Sequence, residues 1–165
     1  MHNPQSVVGV LFSEDRSRVL LIQRRDVPVW VLPGGGIEPG EPSESAIIRE
    51  MLEETGFEVK VVRLVGKYTP VNRLAKRTLL YEVARVGGSA TLGDETRGIR
   101  FVSAESLPPL TPPYDMWIRH AVAQGPLVEE CLTQVNYRVL LRFALRHPVL
   151  VLRFLLARLG CPINS

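Results

Sequence analysis

Three glutamates lie close together in one short stretch of the chain, and their spacing would give them a shared face on a helix. Glu50, Glu53 and Glu54 occupy positions i, i+3 and i+4, which on a helix are neighbours about 5–6 Å apart. The only basic residue between positions 43 and 55 is Arg49. Carboxylate oxygens are the ligands that hard cations such as Mg²⁺ prefer. The pattern is therefore typical of either a divalent-metal site or an ordinary solvated acidic face.

A glycine loop and a helix must position these acids. Three consecutive glycines at 34–36 allow the main chain to approach a ligand closely. Pro42 suits the first turn of a helix, no helix breaker lies between residues 43 and 55, and Gly56 provides a C-terminal stop. We therefore predict a helix over residues 43–55. Its predicted inward face consists of Ala46, Ile47, Ile48 and Met51.

Taken together, these residues resemble the Nudix box. The motif reads G-x5-E-x7-R-E-U-x-E-E-x-G-U, where U is a bulky apolar residue, and every fixed position is filled. These positions are Gly35, Glu41, Arg49, Glu50, Met51, Glu53, Glu54, Gly56 and Phe57. Given average residue usage, a chance match in a chain of this size is on the order of one in ten million. The chain is thus identified as a member of the Nudix family, with a domain from about residue 5 to 125.

The resemblance implies hydrolysis of a pyrophosphate bond in a nucleoside diphosphate linked to another moiety, with Mg²⁺ or Mn²⁺ as cofactor. An acidic site would repel a pyrophosphate unless metal ions neutralised it, and such ions also acidify a bound water. Nucleoside triphosphates, oxidised nucleotides, ADP-ribose and nucleotide sugars all remain open as substrates. The alternative is a Nudix-fold nucleotide-binding or sensing module with little turnover.

The resemblance also implies roles for residues of the box. The residues that match the family's metal ligands are Gly34, Glu50 and Glu54. Glu53 matches a further ligand or base position. Arg49 is expected to orient the glutamates through an ion pair, with Glu41 as its partner. Family members differ in the residue that acts as general base, so that role stays open.

One position departs from the family pattern. Many relatives have another glutamate about three residues before the aromatic residue of the last strand, and here that position is Gly98. Asp94 and Glu95 precede it in the loop and are the acids that would substitute. We take Glu95 as a candidate catalytic residue on this ground. If neither acid reaches the metal ions, we expect slow turnover.

Basic residues outside the box provide candidate contacts to the substrate. Arg24 and Arg25 follow a predicted strand, and Arg77 belongs to a small polar and basic patch. The other members of this patch are Asn72, Arg73 and Lys76. Each arginine would meet a phosphate or a base, and simple solvation of a strand end or loop is the alternative explanation.

Apolar patterns elsewhere predict an α/β fold. Residues 7–12 and 19–23 read as a β-hairpin around the polar turn 13–17. Further predicted elements are strands at 58–68, 78–86 and 99–103, a turn at 87–89, a short helical turn at 104–107 and a helix at 114–123. This order predicts a mixed sheet with helices on both faces. It agrees with the α/β/α sandwich that the Nudix resemblance implies.

Charge divides the chain unevenly. Residues 131–165 contain five arginines and no acidic residue, whereas residues 1–130 contain 15 basic and 17 acidic ones. The net charge of +3 therefore does not indicate a specific nucleic-acid partner, and a nucleotide-type small molecule is expected instead. We divide the chain into a Nudix domain, 1–126, and a basic, apolar helical extension, 127–165. The extension would pack on the domain, form a homodimer interface or contact anionic membranes peripherally.

Cysteine usage and the N-terminus indicate the compartment. Cys131 and Cys161 fit neither a disulfide framework nor a metal-ligand spacing. The N-terminus lacks a basic region followed by an apolar run, so no signal peptide is predicted. Apolar runs within 127–165 do not exceed four residues, which is too short for a spanning helix. We expect a cytoplasmic protein, with a membrane-peripheral location as the option that the basic extension allows.

Overall fold

The described part of the chain contains two sheets, two complete helices and the helical residues 137, 141, 142 and 145. The computed structural model describes residues 4–133 except 28 and 74, together with residues 135, 137, 141, 142 and 145. The elements in chain order are β1 (Ser6–Leu11), β2 (Arg18–Arg24), β3 (Trp30–Val31), β4 (Gly34–Gly36), α1 (Ser43–Thr55), β5 (Phe57–Pro70), β6 (Thr78–Gly88), β7 (Thr96–Ser103), α2 (Tyr114–Val122) and β8 (Val128–Leu132).

The strands divide into a mixed sheet and an antiparallel sheet. The mixed sheet has five strands in the order β4-β1-β6-β5-β8. Within it, β1 runs parallel to β6 and β5 runs parallel to β8, whereas the β1–β4 and β5–β6 pairs are antiparallel. The second sheet has three strands in the order β3-β2-β7, all paired antiparallel. The short strand β4, made of three glycines, therefore lies at an open edge of the mixed sheet.

The alternating residues of β1 separate two hydrophobic clusters. Val7 and Leu11 join a cluster that contains the buried residues of α1, and Val8 and Val10 join a cluster that contains those of α2. Because successive side chains of a strand point to opposite faces, α1 and α2 cover opposite faces of the mixed sheet. The predicted mixed sheet with a helix on each face, in a Nudix-type α/β arrangement, is confirmed.

The predicted hairpin of residues 7–12 and 19–23 is wrong. The strands β1 and β2 belong to different sheets, and Phe12 pairs with Val19 as an isolated bridge at the corner between them. The polar turn is present, and the Ser13 N–H donates to the Arg18 carbonyl over 2.8 Å. The strands then diverge because β1 finds its partners in β4 and β6, where both of its faces are buried.

Helix α1 has the predicted bounds, Ser43–Thr55. Gly56 ends it in the left-handed conformation, with φ of 71°, and donates its N–H to the Leu52 carbonyl over 2.8 Å. The predicted inward residues Ala46, Ile47 and Met51 are buried. The inward placement of Ile48 is wrong, since its side chain is exposed. One residue further along a helix turns the side chain by about 100°, away from the sheet.

The sheet approaches α1 closely at Gly9, in the middle of β1. A Cβ atom at this position would lie 2.9 Å from the Met51 sulfur and 3.1 Å from Cδ1 of Ile47. Both distances are shorter than ordinary van der Waals contact between heavy atoms. Helix α1 therefore packs on β1 so closely that a methyl group at residue 9 would require the side chains of Met51 and Ile47 to shift.

Strand β8 corrects the helical interpretation at the start of the segment from residue 127, whereas the described residues 137, 141, 142 and 145 are helical, as predicted. Val128–Leu132 pairs in parallel with β5, and Leu132 is buried in the cluster around α2. Five residues are too few for periodicity to separate a strand from a helix. Most of the predicted extension, including Arg138, Arg146 and Arg153, lies outside the described residues. Among the described residues, none of the helices has the length and hydrophobicity that crossing a membrane requires.

Three smaller differences concern short segments. The predicted helical turn at 104–107 is wrong, because residues 104–106 form bends that leave β7. The glycines of the predicted turn at 87–89 belong to the end of β6, where they pair with the start of β5. The short strands β3 and β4 were not predicted. They flank the Leu32-Pro33 pair ahead of the glycines and are too short to show an alternating pattern.

Candidate active site

A polar cleft of about 560 Å³ lies between α1, β4 and the loop that precedes β7. Carboxylates dominate its lining, and the end of β2 contributes an arginine. The lining residues are Arg24, Gly34, Gly35, Gly36, Glu50, Glu53, Glu54, Gly93, Asp94 and Glu95. The fold thus brings the three glutamates of α1 together with two acids from a distant part of the sequence.

The three glutamates of α1 lie at different depths. Glu54 is buried, and the side chain of Glu50 is 13% exposed. The side chain of Glu53, by contrast, is 57% exposed. Glu50 and Glu54 are one helical turn apart and face β4, whereas Glu53 projects from the rim of the cleft into solvent. The first two are therefore placed to bind a buried cation, and Glu53 is placed to meet water.

Strand β4 contacts both of the deeper acids. The N–H of Gly34 donates a hydrogen bond of 2.8 Å to Oε2 of Glu54. Gly34 has φ of 148°, which lies in the region that favours glycine. A Cβ atom at Gly35 would overlap the carboxylate of Glu50. Glycines at positions 34 and 35 thus allow the main chain of β4 to lie directly against these carboxylates.

Arg49 connects the helix, the glycine strand and the loop between them. Its Nε and Nη2 donate to the two carboxylate oxygens of Glu41, each over 3.0 Å, in a bidentate pair. Its Nη1 donates to Glu50 at 2.9 Å and to Glu53 at 3.2 Å, and its Nη2 also donates to the Gly36 carbonyl at 3.0 Å. These contacts use all five N–H donors of the guanidinium. The expected pair with Glu41 is present, and Arg49 holds the carboxylates of Glu50 and Glu53 in place.

Burial weakens the acidity of the two deeper glutamates. Removal from water is the largest cause that raises the pKa of Glu54 to about 7, and the nearby charges of Glu50 and Glu95 add to it. The hydrogen bond from Gly34 and the charge of Arg24 act in the opposite direction on this pKa. Burial also raises the pKa of Glu50, against the lowering effect of Arg49. Two buried carboxylates side by side favour the uptake of positive charge, either as protons or as a metal ion.

The loop before β7 brings Glu95 and Asp94 to the cleft. Gly93 packs against the main chain of α1 so closely that a Cβ atom there would overlap the carbonyl oxygen of Glu53. Glu95 is close enough for its charge to raise the pKa of both Glu50 and Glu54. Glu95 therefore lies where a substitute for the missing family glutamate is expected, and its catalytic role stays a prediction.

Gly98 itself does not line the cleft. It lies in β7 opposite Gln23 of β2. A Cβ atom at this position would meet the ring of Trp30 at 3.5 Å, which is an ordinary contact. The backbone at residue 98 therefore has room for a side chain, and the absence of the family glutamate is a feature of the sequence rather than of steric restriction.

The three candidate substrate-binding arginines lie in different places. Arg24 lines the cleft, and Asp26 holds its guanidinium through two hydrogen bonds of 2.9 and 2.8 Å. Arg25 points instead to the Thr96 carbonyl, which accepts from its Nη2 over 3.1 Å, and it does not line the cleft. Arg77 lies beside the start of β1 and is also absent from the lining. The structure therefore brings only Arg24 of these three to the acids.

Sequence reasoning missed two groups that organise the cleft. The Gly36 carbonyl accepts a hydrogen bond from Arg49, and Asp26 orients Arg24. The spacing of Arg24 and Asp26, two residues apart after a strand, is a usable signal for such a pair. Every residue has a main-chain carbonyl group, so a sequence pattern does not reveal which carbonyl accepts a hydrogen bond.

The donor groups of the cleft fit a hard divalent cation in type. Carboxylate and carbonyl oxygens are available from Gly34, Glu50 and Glu54, and burial makes the charges of both acids unfavourable without a cation. Within the described residues, however, no three histidine, cysteine, aspartate or glutamate side chains are arranged around a common metal position. Glu50 is bound to Arg49 and Glu54 to the Gly34 N–H. Each of these hydrogen bonds uses one carboxylate oxygen, so each side chain keeps a second oxygen for metal ligation.

Comparisons with known proteins agree with this geometry. The chain matches the NUDIX domain family over residues 3–124. It is 36% identical over 99 residues to a Bacillus subtilis protein provisionally named an 8-oxo-dGTP diphosphatase, covering 60% of this chain and 66% of the relative. It is 33% identical over 116 residues to an ADP-ribose pyrophosphatase from Methanocaldococcus jannaschii, covering 67% of this chain and 68% of the relative. The matched region thus spans about two thirds of these relatives.

Solved structures show the same fold. An ADP-ribose pyrophosphatase from Streptococcus suis superposes with a TM-score of 0.62 at 24% identity, covering 78% of this chain and 99% of that one. A UDP-X diphosphatase superposes with a TM-score of 0.65 at 23% identity, covering 78% and 68%. At these identities the likeness concerns the fold alone. With the complete box placed on α1 and β4 and the domain matched over residues 3–124, the chain belongs to the Nudix family.

Proposed function

We propose that this protein hydrolyses a pyrophosphate bond in a nucleoside diphosphate linked to another moiety. The single observation that carries the proposal is the cleft in which α1 presents Glu50 and Glu54 to the glycine strand β4. The curated relatives described above are named as diphosphatases and pyrophosphatases. Their names support a reaction at a pyrophosphate bond, and the acids of the cleft supply the groups that such a reaction requires.

The cofactor in this proposal is Mg²⁺ or Mn²⁺. Nudix hydrolases generally use a divalent metal ion. Glu50, Glu54 and the Gly34 carbonyl would hold it, as hard oxygen donors at the floor of the cleft. When bound, such an ion neutralises phosphate charge and acidifies a coordinated water. Arg49 binds one oxygen of Glu50 and the Gly34 N–H binds one oxygen of Glu54, so the second oxygen of each carboxylate would face the ion.

The other residues of the cleft have separate tasks. Arg49 keeps the glutamates oriented, because Glu41 fixes its guanidinium from the opposite side. Arg24 offers a cation to the phosphates, and its ion pair with Asp26 holds that cation at the cleft. Arg25 and Arg77 lie outside the lining, so their contact with substrate would involve the more distant part of a large ligand. These assignments follow from position and charge and stay predictions.

Proton transfer has two candidate groups. A general base must reach the attacking water and be ionised at the working pH. Glu53 is largely exposed at the rim and bound only through Arg49 among the contacts of its side chain described here. Glu95 is exposed in the loop across the cleft. We propose Glu95 as the first candidate because Gly98 leaves the family position without an acid, and Glu53 as the second.

The alternative function is a nucleotide-binding or sensing module with little turnover. Two observations favour it: the missing acid at Gly98 and the absence, within the described residues, of three ligating side chains around one point. The complete set of box glutamates favours the enzyme. Turnover separates the two functions directly, since a sensor binds nucleotides without releasing phosphate products.

The test is a substrate panel with Mg²⁺ or Mn²⁺, in which chromatography identifies the phosphate products. The panel contains nucleoside triphosphates, oxidised nucleotides, ADP-ribose and nucleotide sugars. We expect cleavage at a pyrophosphate bond of at least one compound, and loss of this activity in Glu54→Gln. Glu44→Gln is the matched control, because Glu44 lies in the first turn of the same helix and outside the cleft. Full activity of Glu54→Gln at limiting Mg²⁺ would contradict the site assignment.

A further inference from the structure

A basic and apolar loop, residues 71–77, connects β5 to β6, and its described residues do not line the carboxylate cleft. Val71 is 53% exposed, and Arg73 and Lys76 are exposed as well. In the part of the chain that the structure describes, neither of these two cations forms an ion pair with an acidic residue. The loop therefore presents uncompensated positive charge together with an exposed apolar side chain.

The chain after β8 is attached to this loop. The side-chain amide of Asn72 donates a hydrogen bond to the Val135 carbonyl over 2.7 Å. Lys76 and Val135 also line the same cavity. The helical residues of the chain begin to follow at Tyr137, two positions after Val135. They therefore start close to the loop, and the two segments belong to one region of the surface.

The helical residues after Val135 carry an exposed apolar stripe. Tyr137, Leu141 and Leu145 occupy positions i, i+4 and i+8, which lie on one face of a helix. Their exposed fractions are 62%, 61% and 74%, so the described residues do not cover this stripe. Single apolar residues at a surface are ordinary, whereas a contiguous group of them marks an interaction site. The stripe therefore indicates an apolar partner.

The charges in this part of the sequence have one sign. Residues 137–159 comprise sixteen apolar residues, five arginines, one histidine and one proline, and they include no acidic residue. Arg142 is exposed. The acids that precede this stretch are Glu129 and Glu130 in β8, and Glu129 is paired with Lys67 at 2.8 Å. We call the loop, the stripe and Arg142 the basic apolar surface. It suits a partner with an apolar interior and a negatively charged boundary.

An anionic lipid surface has both of these properties. Its acyl chains accept aliphatic side chains, and its headgroup phosphates attract arginine and lysine. In a symmetric dimer the same patch lies on both copies, so arginines would face arginines without an acidic residue from the stretch 137–159 to pair them. A nucleic acid would bind the cations through its phosphates, but it has no hydrocarbon layer for the exposed leucines. The combination therefore favours lipid over the other two partners.

We propose that the basic apolar surface binds peripherally to membranes that contain anionic lipid. The stripe enters the boundary between headgroups and acyl chains, and Arg73, Lys76 and Arg142 contact the headgroup phosphates. Loop and helix act together because the hydrogen bond from Asn72 to Val135 joins them. The described residues of this surface do not line the carboxylate cleft, so the proposal does not depend on the reaction that the cleft carries out.

The first test is co-sedimentation of the full chain with lipid vesicles. One set of vesicles contains phosphatidylcholine alone, and the other contains phosphatidylcholine mixed with anionic phosphatidylglycerol. We expect binding to the mixed vesicles at low salt and progressive release as NaCl is added, because salt screens exposed charges. Equal binding to both sets of vesicles, or no binding to the mixed set, would overturn the proposal. Binding to single-stranded RNA but to neither set would assign the surface to nucleic acid and overturn it as well.

The second test removes charge from the loop and leaves the helical residues unchanged. Arg73→Gln combined with Lys76→Gln should weaken binding to the mixed vesicles about tenfold or more. Arg18→Gln combined with Lys60→Gln is the matched control, because it removes the same charge from exposed positions outside this surface. The control should change binding by less than about threefold. Equal weakening in the two double variants would show a dependence on net charge alone and would overturn the proposal.

The third test asks whether the stripe enters the lipid. Tyr137→Trp places an indole on the stripe, and brominated phosphatidylcholine in the mixed vesicles quenches an indole that reaches the acyl chains. The fluorescence of the unaltered chain provides the background from its two native tryptophans. Val86→Trp is the control, because Val86 is an exposed strand residue outside this surface. Additional quenching is expected for Tyr137→Trp and not for Val86→Trp, and equal quenching in both variants would contradict the proposal.

The fourth test separates lipid from a second copy of the chain. Leu141→Gln combined with Leu145→Gln should weaken binding to the mixed vesicles about tenfold or more, with the oligomeric state in light scattering unchanged. A full-length chain that is dimeric without lipid and monomeric in this variant would show that the stripe meets a second copy, and the proposal would fail. If the double variant does not fold, the lipid and salt dependence of the unaltered chain still decides the proposal.

Discussion

At the scale of single residues, Glu54 connects stability with pH. Its pKa is about 7 in the folded chain against 4.5 ordinarily, so the folded state holds this proton more tightly than the unfolded state does. As pH rises from about 4.5 to 7, the unfolded chain loses the proton first and the folded state loses relative stability. We expect a loss of about 3 kcal/mol between these pH values, from about 1.4 kcal/mol per pKa unit.

The measurement is urea unfolding at pH 5 and pH 8 without metal ions. The wild-type chain should lose about 3 kcal/mol more than Glu54→Gln over this interval, because glutamine carries no titrating group. Mg²⁺ at pH 8 should restore stability to the wild type and not to the variant. The same pH dependence in both proteins would show that Glu54 is not the group responsible.

Kinetic measurements can also decide the role of Glu95, in the loop before β7. If Glu95 replaces the glutamate absent at Gly98, Glu95→Gln should lower turnover at least tenfold, which corresponds to about 1.4 kcal/mol of activation free energy. The measurement is the pH profile of kcat on the best substrate. Glu105→Gln is the control, because Glu105 is exposed in the loop after β7. Unchanged kinetics would rule out Glu95 and point to Glu53 as the base.

At the scale of elements, the absence of a side chain at Gly35 allows the carboxylate of Glu50 to lie against β4. Gly35→Ala would push this carboxylate away from β4, because the new Cβ overlaps it. We expect turnover at least tenfold lower at limiting Mg²⁺, with a shift of the metal requirement to higher concentration. Gly98→Ala is the matched control, since its Cβ makes an ordinary contact with Trp30. Equal metal requirements in both variants would contradict this account.

The elements also show which parts of the fold the sequence predicts. Helix α1 and its acids were predictable because the periodicity and Gly56 cap lie within one continuous stretch. The sheet to which β1 belongs was not, since its parallel partner β6 begins at Thr78, far along the chain. Short strands such as β8 carry too few residues for a period. Long-range pairing therefore accounts for the main errors.

In the candidate site, too, local features were predictable from the sequence and long-range ones were not. The box assigns Glu50, Glu53 and Glu54 to one place because their spacing is local. Arg24 lines the cleft, whereas Arg77 does not. This difference depends on how the sheets pack, and residue type alone does not predict that packing.

At the scale of the whole molecule, β8 determines where the chain can be shortened. Removal of residues 127–165 would delete β8, including Leu132, which is only 1% exposed. The apolar residues that pack around Leu132 would then meet water. We expect a loss of at least the 2–5 kcal/mol typical of a buried leucine replaced by alanine. A chain that ends at residue 135 keeps β8 and should retain most of its stability in urea unfolding. Equal loss in both truncations would contradict this expectation.

The shorter truncation also isolates the basic segment beyond residue 135. If that segment forms a homodimer interface, the chain that ends at residue 135 should be monomeric in light scattering. If it contacts membranes, the same chain should lose salt-sensitive binding to vesicles of anionic lipid. The full-length protein in both assays is the reference. A full-length chain that is monomeric and ignores such vesicles would remove both proposals for the segment.

Gly9 does not line the cleft, but its close packing against α1 sets the distance between this helix and β1. Met51 and Ile47 rest directly on this position, and Glu50 and Glu54 are carried on the same rigid helix. An added methyl group at residue 9 would lift the helix or displace Met51, and so alter the height of the acids above β4. The gap between the acids and the glycine strand is therefore adjustable from the interior, by paired changes at residues 9 and 51 that leave every charged group unchanged.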